Sequence, residues 1–241
     1  MPVIDKFTDD IGSVVAQIPD GATLAIGGFG YAGLPLTLCD ALCEADRRDL
    51  TIVSNNIGGE DRGGGRLARE GRVRKFVGSF PIAPVFTEQL MTGRAEIELL
   101  PQGTMVERLR AAGAGIGAFY TATSVKTSLA DGTYPSRYDA DGHPVAFMAP
   151  KETREIDGRL MVLEYALHVD FAFVKAHRAD RLGNLQFRLA ARNFNPAVAM
   201  AAKVAIVETE EFVEVGDIEP DDVHLPGLFV DHVVLSEGAA R

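Results

Sequence analysis

Short apolar runs alternate with glycine-rich or polar bends along most of the chain. Residues 23–26, 50–53, 73–77, 97–100, 171–174 and 204–207 have the length and composition of buried strands. Between them the apolar spacing changes to three and four. Phe7, Ile11, Val14, Val15 and Ile18 predict a helix over 5–18, and Leu38, Leu42 and Ala45 predict another that starts at Pro35. Further helices are expected around Leu67, over 85–91 with Gly93 closing it, from about Met105, and from Pro196 with Asn195 as its cap.

This β-loop-α rhythm predicts an α/β fold, a mostly parallel central sheet with helices on both faces. The stretch 121–150 is polar and rich in turns, so it reads as an excursion from the core. Alternation from Thr153 to Glu164 around Asp157-Gly158 predicts a hairpin, so the two together occupy about 121–164. With no internal repeat, low-complexity tract or linker, the pattern fits a single domain over 1–241.

Ligands of parallel sheets gather outside the carboxyl ends of the strands. The ends to watch are 27–30, 54–56, 78–80 and 101–104. The first is the richest: 20–35 reads DGATLAIGGFGYAGLP, a strand, a glycine-rich bend and a helix start, which together suit an anion. Gly28-x-Gly30-x-x-Gly33 has dinucleotide spacing, but that reading needs an acid about 20 positions on, at the end of the second strand. That strand ends in Val53-Ser54-Asn55-Asn56, and Asp49 stands at its wrong end. A tight turn without ligand is the other reading of these residues. At 101–104, Gln102 is an amide able to donate to an oxyanion with Gly103 permitting close approach, or else a plain loop cap. Asn55 and Asn56 suit turns as well as ligands.

Ser54 and Ser79 end strands without a G-x-S-x-G elbow, and the five histidines are scattered, so neither a nucleophilic triad nor a metal site is expected. Cys39 and Cys43, four apart on one helix, read as packed or surface thiols. The 24 Lys and Arg against 34 Asp and Glu give a net charge of −10, which argues against nucleic acid or an anionic membrane as partner. A 46% hydrophobic content without a spanning run, and an N-terminus without a basic start and apolar core, lead to the expectation of a cytoplasmic protein.

The stretch Asp20-Gly21-x-x-Leu24-Ala25-Ile26-Gly27-Gly28-Phe29-x-x-x-Gly33-x-Pro35 resembles the signature of the α subunit of family I (3-oxoacid) CoA-transferases. The resemblance continues through Ser54-Asn55-Asn56, Pro101-Gln102-Gly103-Thr104, Asp180-Arg181-x-Gly183-Asn184 and Ala191-Arg192-Asn193-Phe194-Asn195-Pro196, covering nearly the whole chain in order. Stretches 151–159 and 175–184 resemble subunits that act on 3-oxoadipate or acetoacetate.

The resemblance implies the α subunit of an enzyme that moves CoA from succinyl-CoA to a 3-oxo acid. No permanently bound cofactor is implied, coenzyme A thioester being a substrate. The nucleophilic glutamate is implied on a partner β subunit, in a heterodimer or α2β2 assembly, within a Ser-Glu-Asn-Gly motif. The nearest string here, Ser236-Glu237-Gly238, sits in what reads as a polar tail and lacks the Asn. Gln102 is the implied oxyanion donor. Gly27, Gly28, Phe29, Gly30, Tyr31, Ala32 and Gly33 are implied to line the CoA site, with Asn55, Asn56 and Gly103 beside the reacting centre. A CoA-ester hydrolase of the same fold and a non-catalytic acyl-CoA-binding scaffold are the alternatives. One departure stands out: where the family often reads Thr-Pro-Thr-Gly-x-Gly-Thr, residues 121–127 place Ser124 and Lys126 at the two glycine positions. Lys126 is thereby a candidate contact for a second carboxylate on the acceptor, or a solvated loop-tip cation.

Overall fold

Alternate residues of each apolar run face opposite sides of a sheet, and two cores form as a result. The computed structural model describes residues 4–59 and 61–240. Its first half runs α1 (Ile11–Val15), β1 (Thr23–Ile26), α2 (Leu36–Glu44), β2 (Leu50–Asn56), α3 (Gly63–Arg69), β3 (Val73–Phe80), α4 (Pro84–Met91), β4 (Glu96–Leu99) and α5 (Gln102–Gly113). There follow β5 (Ala118–Thr121), α6 (Ser128–Asp131), β6 (Pro135–Tyr138), β7 (Pro144–Phe147), β8 (Thr153–Ile156) and β9 (Arg159–Tyr165). The chain then returns to the sheet through β10 (Val169–Asp180), β11 (Leu185–Gln186), α7 (Asn195–Ala201), β12 (Ala202–Val213) and β13 (His232–Ala240).

The central sheet has the order β13-β12-β10-β1-β2-β3-β4, parallel throughout this path, with β11 antiparallel on β10. Leu24, Ile26, Ile52, Phe76 and Phe173 point to the face covered by α1 to α4. Ala25, Val53, Val77, Ala172 and Val174 point to the face covered by α5 and α7. Helices therefore lie on both faces, as the rhythm of the sequence predicts. Strand order reverses at β1, which pairs with β2 on one side and β10 on the other, and a crevice opens at such a reversal.

Several elements differ from the pattern. The helix expected over 5–18 is only α1, because Asp10 caps it by accepting from the Ser13 N–H at 2.9 Å, while Phe7 pairs with Val233 as a bridge. The strand expected at 171–174 runs on to Asp180 beside β12. That polar extension is held across the strands by the His177–Glu210, Arg178–Glu211 and Lys175–Glu208 pairs. The tail expected at 236–238 belongs to β13, a further parallel strand carried by Val233 and Val234 in the core. The excursion holds the β6–β7 hairpin, and the β8–β9 hairpin forms with β5 a separate three-stranded antiparallel sheet. Cys39 and Cys43 are both buried free thiols, and burial pushes each above its ordinary value, so they are packing residues. No helix among the described residues is long and apolar enough to cross a membrane.

Glu98 ties the sheet edge to α5, accepting from Lys75 Nζ at 2.8 Å and from Arg108 Nη1 at 2.9 Å. Burial alone would raise this carboxyl, but the two cations outweigh it and hold it below the usual carboxylate range. Such a group stabilises the fold above its unfolded pKa of about 4.3, and the contribution disappears as pH falls through the lower folded value. Glu98→Gln is expected to cost about 1–3 kcal/mol at pH 7 and to flatten the acid side of the stability profile. Urea denaturation between pH 3 and pH 7 measures both; an unchanged acid slope would show that the pair contributes nothing.

Candidate active site

The bend after β1 is held from below by two asparagines. Asn195 lies fully buried at the first position of α7, and its carbonyl oxygen accepts from the Lys175 N–H at 3.0 Å. Its amide donates to the carbonyls of Gly33 at 3.0 Å and Ala191 at 2.9 Å. Asn195 is thus no cap of its own helix; it bolts β10, α7 and the glycine bend together. A Cβ on Gly27 would collide with this side chain, and one on Gly33 would come within 2.5 Å of the Ala191 carbonyl oxygen. Asn193 completes the clamp, accepting from the Gly28 N–H at 3.2 Å and donating to the Ala32 carbonyl at 3.0 Å.

The bend itself closes as a tight turn, with Phe29 and Ala32 exchanging backbone hydrogen bonds at 3.0 Å. Its tip, Gly30 and Tyr31, projects outward, and Gly30 has open space where a Cβ would sit. The helix start behind it is already occupied. Leu38 N–H in the first turn of α2 donates at 2.9 Å to Glu208, a buried carboxylate of β12 that also takes Lys175 Nζ at 3.1 Å and Ser236. Burial pushes the Glu208 carboxyl up, against the pull of Lys175 and of the Leu38 N–H. The α2 N-terminus therefore serves an internal anion, and the tip of the bend stays exposed.

Two further strand ends converge beside that tip. Asn55 and Asn56, both buried, end β2, and Asn56 accepts from the Gly58 N–H at 2.9 Å. Gln102, the first residue of α5, donates its side-chain amide to Asn55 Oδ1 at 2.8 Å. An amide carries two N–H donors, and the second on Gln102 has no partner among the described residues. Gly103 is exposed, with nothing near its Cβ position.

Phe29, Gly30, Tyr31, Asn55, Asn56, Phe80 and Ile82 line a cleft of about 400 Å³, apolar except for its amides. Tyr31 and Ile82 are 73% and 70% exposed, an open rim of large side chains around a polar floor. Gln102 reaches this cleft through Asn55. Lys126 does not line this cleft. Ser124 and Lys126 both take left-handed backbone, with φ of +67° and +59°, the conformation that favours the glycines of the resembled pattern. Sequence reasoning missed the roles of Asn193, Glu208 and Lys175. Asn193 stands inside a recognisable motif, but only tertiary contacts reveal that the partners of these three lie on the bend and on α2.

Replacing Asn195 by Ala leaves the Lys175 N–H and the Gly33 carbonyl unpaired in the core. The expected loss is about 3 kcal/mol in urea denaturation, with hydrogen exchange accelerated at 28–34 before the rest of the sheet. Unchanged protection at 28–34 would show that the bend is held by other contacts.

Comparison with known proteins gives the site its context. The family model described as "Coenzyme A transferase" matches residues 8–236. The chain is 47% identical over 241 residues to the A subunit of 3-oxoadipate CoA-transferase of Pseudomonas putida, covering 99% of this chain and 96% of that protein. It is also 47% identical over 232 residues to the A subunit of succinyl-CoA:3-ketoacid coenzyme A transferase of Xanthomonas campestris, covering 96% and 88% respectively. Among solved structures, an acyl-CoA transferase apoenzyme from Escherichia coli O157:H7 has the same fold, with a TM-score of 0.82 at 23% identity. This chain aligns over its whole length with 48% of that one, so it corresponds to about half of the longer protein. A family match over almost the entire chain, together with relatives at 47% identity, establishes that the chain belongs to the coenzyme A transferase family.

Proposed function

We propose that the chain is the α subunit of a CoA-transferase that moves CoA from succinyl-CoA to a 3-oxo acid, 3-oxoadipate or acetoacetate. The observation that carries the reading is the Gln102–Asn55 amide pair, whose Asn55 member lies on the floor of an open apolar cleft where the strand ends converge. The names of the relatives supply the chemistry and, being those of single subunits, imply a second one. The chain acts in this role as one domain; its first and last strands join the same sheet, which supports that reading.

The partner contributes a glutamate. Its carboxylate attacks the succinyl-CoA thioester carbonyl, and the tetrahedral oxyanion collapses to a mixed anhydride with release of the CoA thiolate. The thiolate attacks the glutamyl carbonyl of the anhydride, giving a glutamyl-CoA thioester and free succinate. The 3-oxo acid carboxylate then repeats both steps in reverse order and leaves as its CoA ester. Every carbonyl attack develops an oxyanion, and the free N–H of Gln102 is the donor for it. Asn55 fixes the Gln102 amide by accepting its other N–H, so the donor is oriented before the charge appears. The bend 27–33 forms the wall against which the CoA chain lies, and the exposed rim of Phe29, Tyr31, Phe80 and Ile82 is what the partner covers.

Gln102→Ala in the two-subunit complex is expected to lower turnover by about two orders of magnitude, since one oxyanion donor is worth roughly 3 kcal/mol. The substrate KM values and the complex itself are expected to persist. Steady-state exchange between succinyl-CoA and each 3-oxo acid, with size-exclusion chromatography of the complex, is the measurement. Near-normal turnover would remove Gln102 from the mechanism, and CoA release without exchange would turn the reading into a hydrolase.

A further inference from the structure

Helix α5 carries the Gln102 amide on its first residue, so whatever fixes the helix also fixes that donor. Leu100 and Pro101 are the whole link from β4, which tethers the helix start and leaves its direction and roll to be set. Met105 and Leu109 pack into the core beneath α5, beside Val198 and Ala199 of α7. Apolar packing sets the height of a helix above a sheet, but it is not directional and holds roll weakly. Hydrogen bonds are directional and supply that restraint.

Among the described residues, α5 makes hydrogen bonds to other elements through Gln102 and Arg108 alone. Its first turn has no other polar tie: Pro101 gives no side-chain cap, Gly103 is exposed, and the buried Thr104 hydroxyl has no partner among the described residues. Arg108 lies six positions after Gln102, about 9 Å along the axis. Its Nη1 donates to Glu98 of β4 at 2.9 Å and its Nε to the Tyr165 carbonyl of β9 at 2.8 Å. The Arg108 carbonyl accepts from the Leu167 N–H, also at 2.9 Å, and Glu98 is held in turn by Lys75 of β3. The Arg108 side chain is only 13% exposed.

Packing does not duplicate this clamp. Lys75, Glu98, Arg108 and Tyr165 line a cavity of about 610 Å³ that lies between β4, residues 147–152 and β9. This flank of α5 therefore meets open volume, where dispersion contacts are lost, and its attachment rests on the bonds of Arg108.

We propose that Arg108 is a positioning residue for CoA transfer: by clamping α5 to β4 and β9 it sets the direction and roll of the helix, and with them the place of the free Gln102 N–H. The proposal rests on the transferase reading and extends it. An oxyanion donor serves only within about 2.7–3.1 Å of the developing charge, and a displacement of about 1 Å costs roughly a hundredfold. Such a donor acts on the transition state rather than on the bound thioester, so its displacement lowers kcat and leaves KM.

The test places Arg108→Gln and Arg108→Lys in the two-subunit complex, each alone and together with Gln102→Ala, and measures CoA exchange from succinyl-CoA. Arg108→Gln is expected to lower kcat at least about tenfold, with KM for succinyl-CoA within about twofold. In the Gln102→Ala background the same change is expected to cost less than about twofold, because the donor that Arg108 places is already gone. Arg108→Lys keeps a cation for Glu98 but lacks the fork that also reaches the Tyr165 carbonyl. It is expected to show the same non-additivity with a smaller loss, and it carries the test where size-exclusion chromatography shows that Arg108→Gln does not assemble. An unchanged kcat, or a loss that lies in KM, would overturn the proposal. Equal losses of kcat with and without Gln102 would do the same, since that is what a merely structural role gives. A wild-type complex that exchanges no CoA would overturn the transferase reading and the role of Arg108 together.

Discussion

The buried amide of Asn195 is the contact on which the site depends. It joins a strand, a helix and the glycine bend through three hydrogen bonds, and it fills the space that a side chain at residue 27 would need. A buried amide is worth this placement only when its donors and acceptor are engaged, since each unmade bond carries the full desolvation penalty. The sequence around it is therefore constrained on both sides. Gly27 and Gly33 are small because Asn195 and the Ala191 carbonyl stand close to them, not only because a turn is wanted. Glu208 does the same for the other end of the segment, fixing Leu38 by a charge at the helix start. Between these two anchors the tip at Gly30 and Tyr31 is the part left exposed.

That arrangement explains what the linear pattern could and could not reveal. Apolar runs such as Ile52-Val53 and Phe76-Val77 carry their own evidence, because period-two alternation between two covered faces needs no knowledge of the partner strand. The polar continuation of β10 carries none. Lys175, His177 and Arg178 look like loop residues until Glu208, Glu210 and Glu211 are seen directly beside them on β12, each charge answered across the strands. Ser236 and Glu237 look like a tail for the same reason. Gln102 was legible as a polar group at a strand end, but its bond to Asn55, 47 positions away, belongs to the fold. Asn195 was misread for a related reason: Asn before Pro at a helix start is a good cap locally, and only the neighbouring strand and bend offer it better partners.

The electrostatic layout follows a consistent rule. Buried acids in the described core each have a cation or a backbone N–H assigned to them, as Glu98 has Lys75 and Arg108, and Glu164 has Lys151. Charge is thereby consumed in joining elements. Arg66, held by Asp40 and Glu70, shows the engaged case.

The polar inventory of the apolar cleft sets the limit on what this chain does unaided. Its described lining offers amides, backbone groups and one phenol, with no carboxylate, thiol, imidazole or amine. Amides donate hydrogen bonds to a developing oxyanion, but they are poor nucleophiles and do not change charge near neutral pH. Such a wall polarises a carbonyl and leaves the attack to another group. The same cleft has a rim of large apolar side chains that stay exposed, an arrangement favourable only when something covers them. The relatives' names imply a second subunit, and in the proposed reading that subunit brings the nucleophile and covers the rim while the amides of this chain serve the oxyanion.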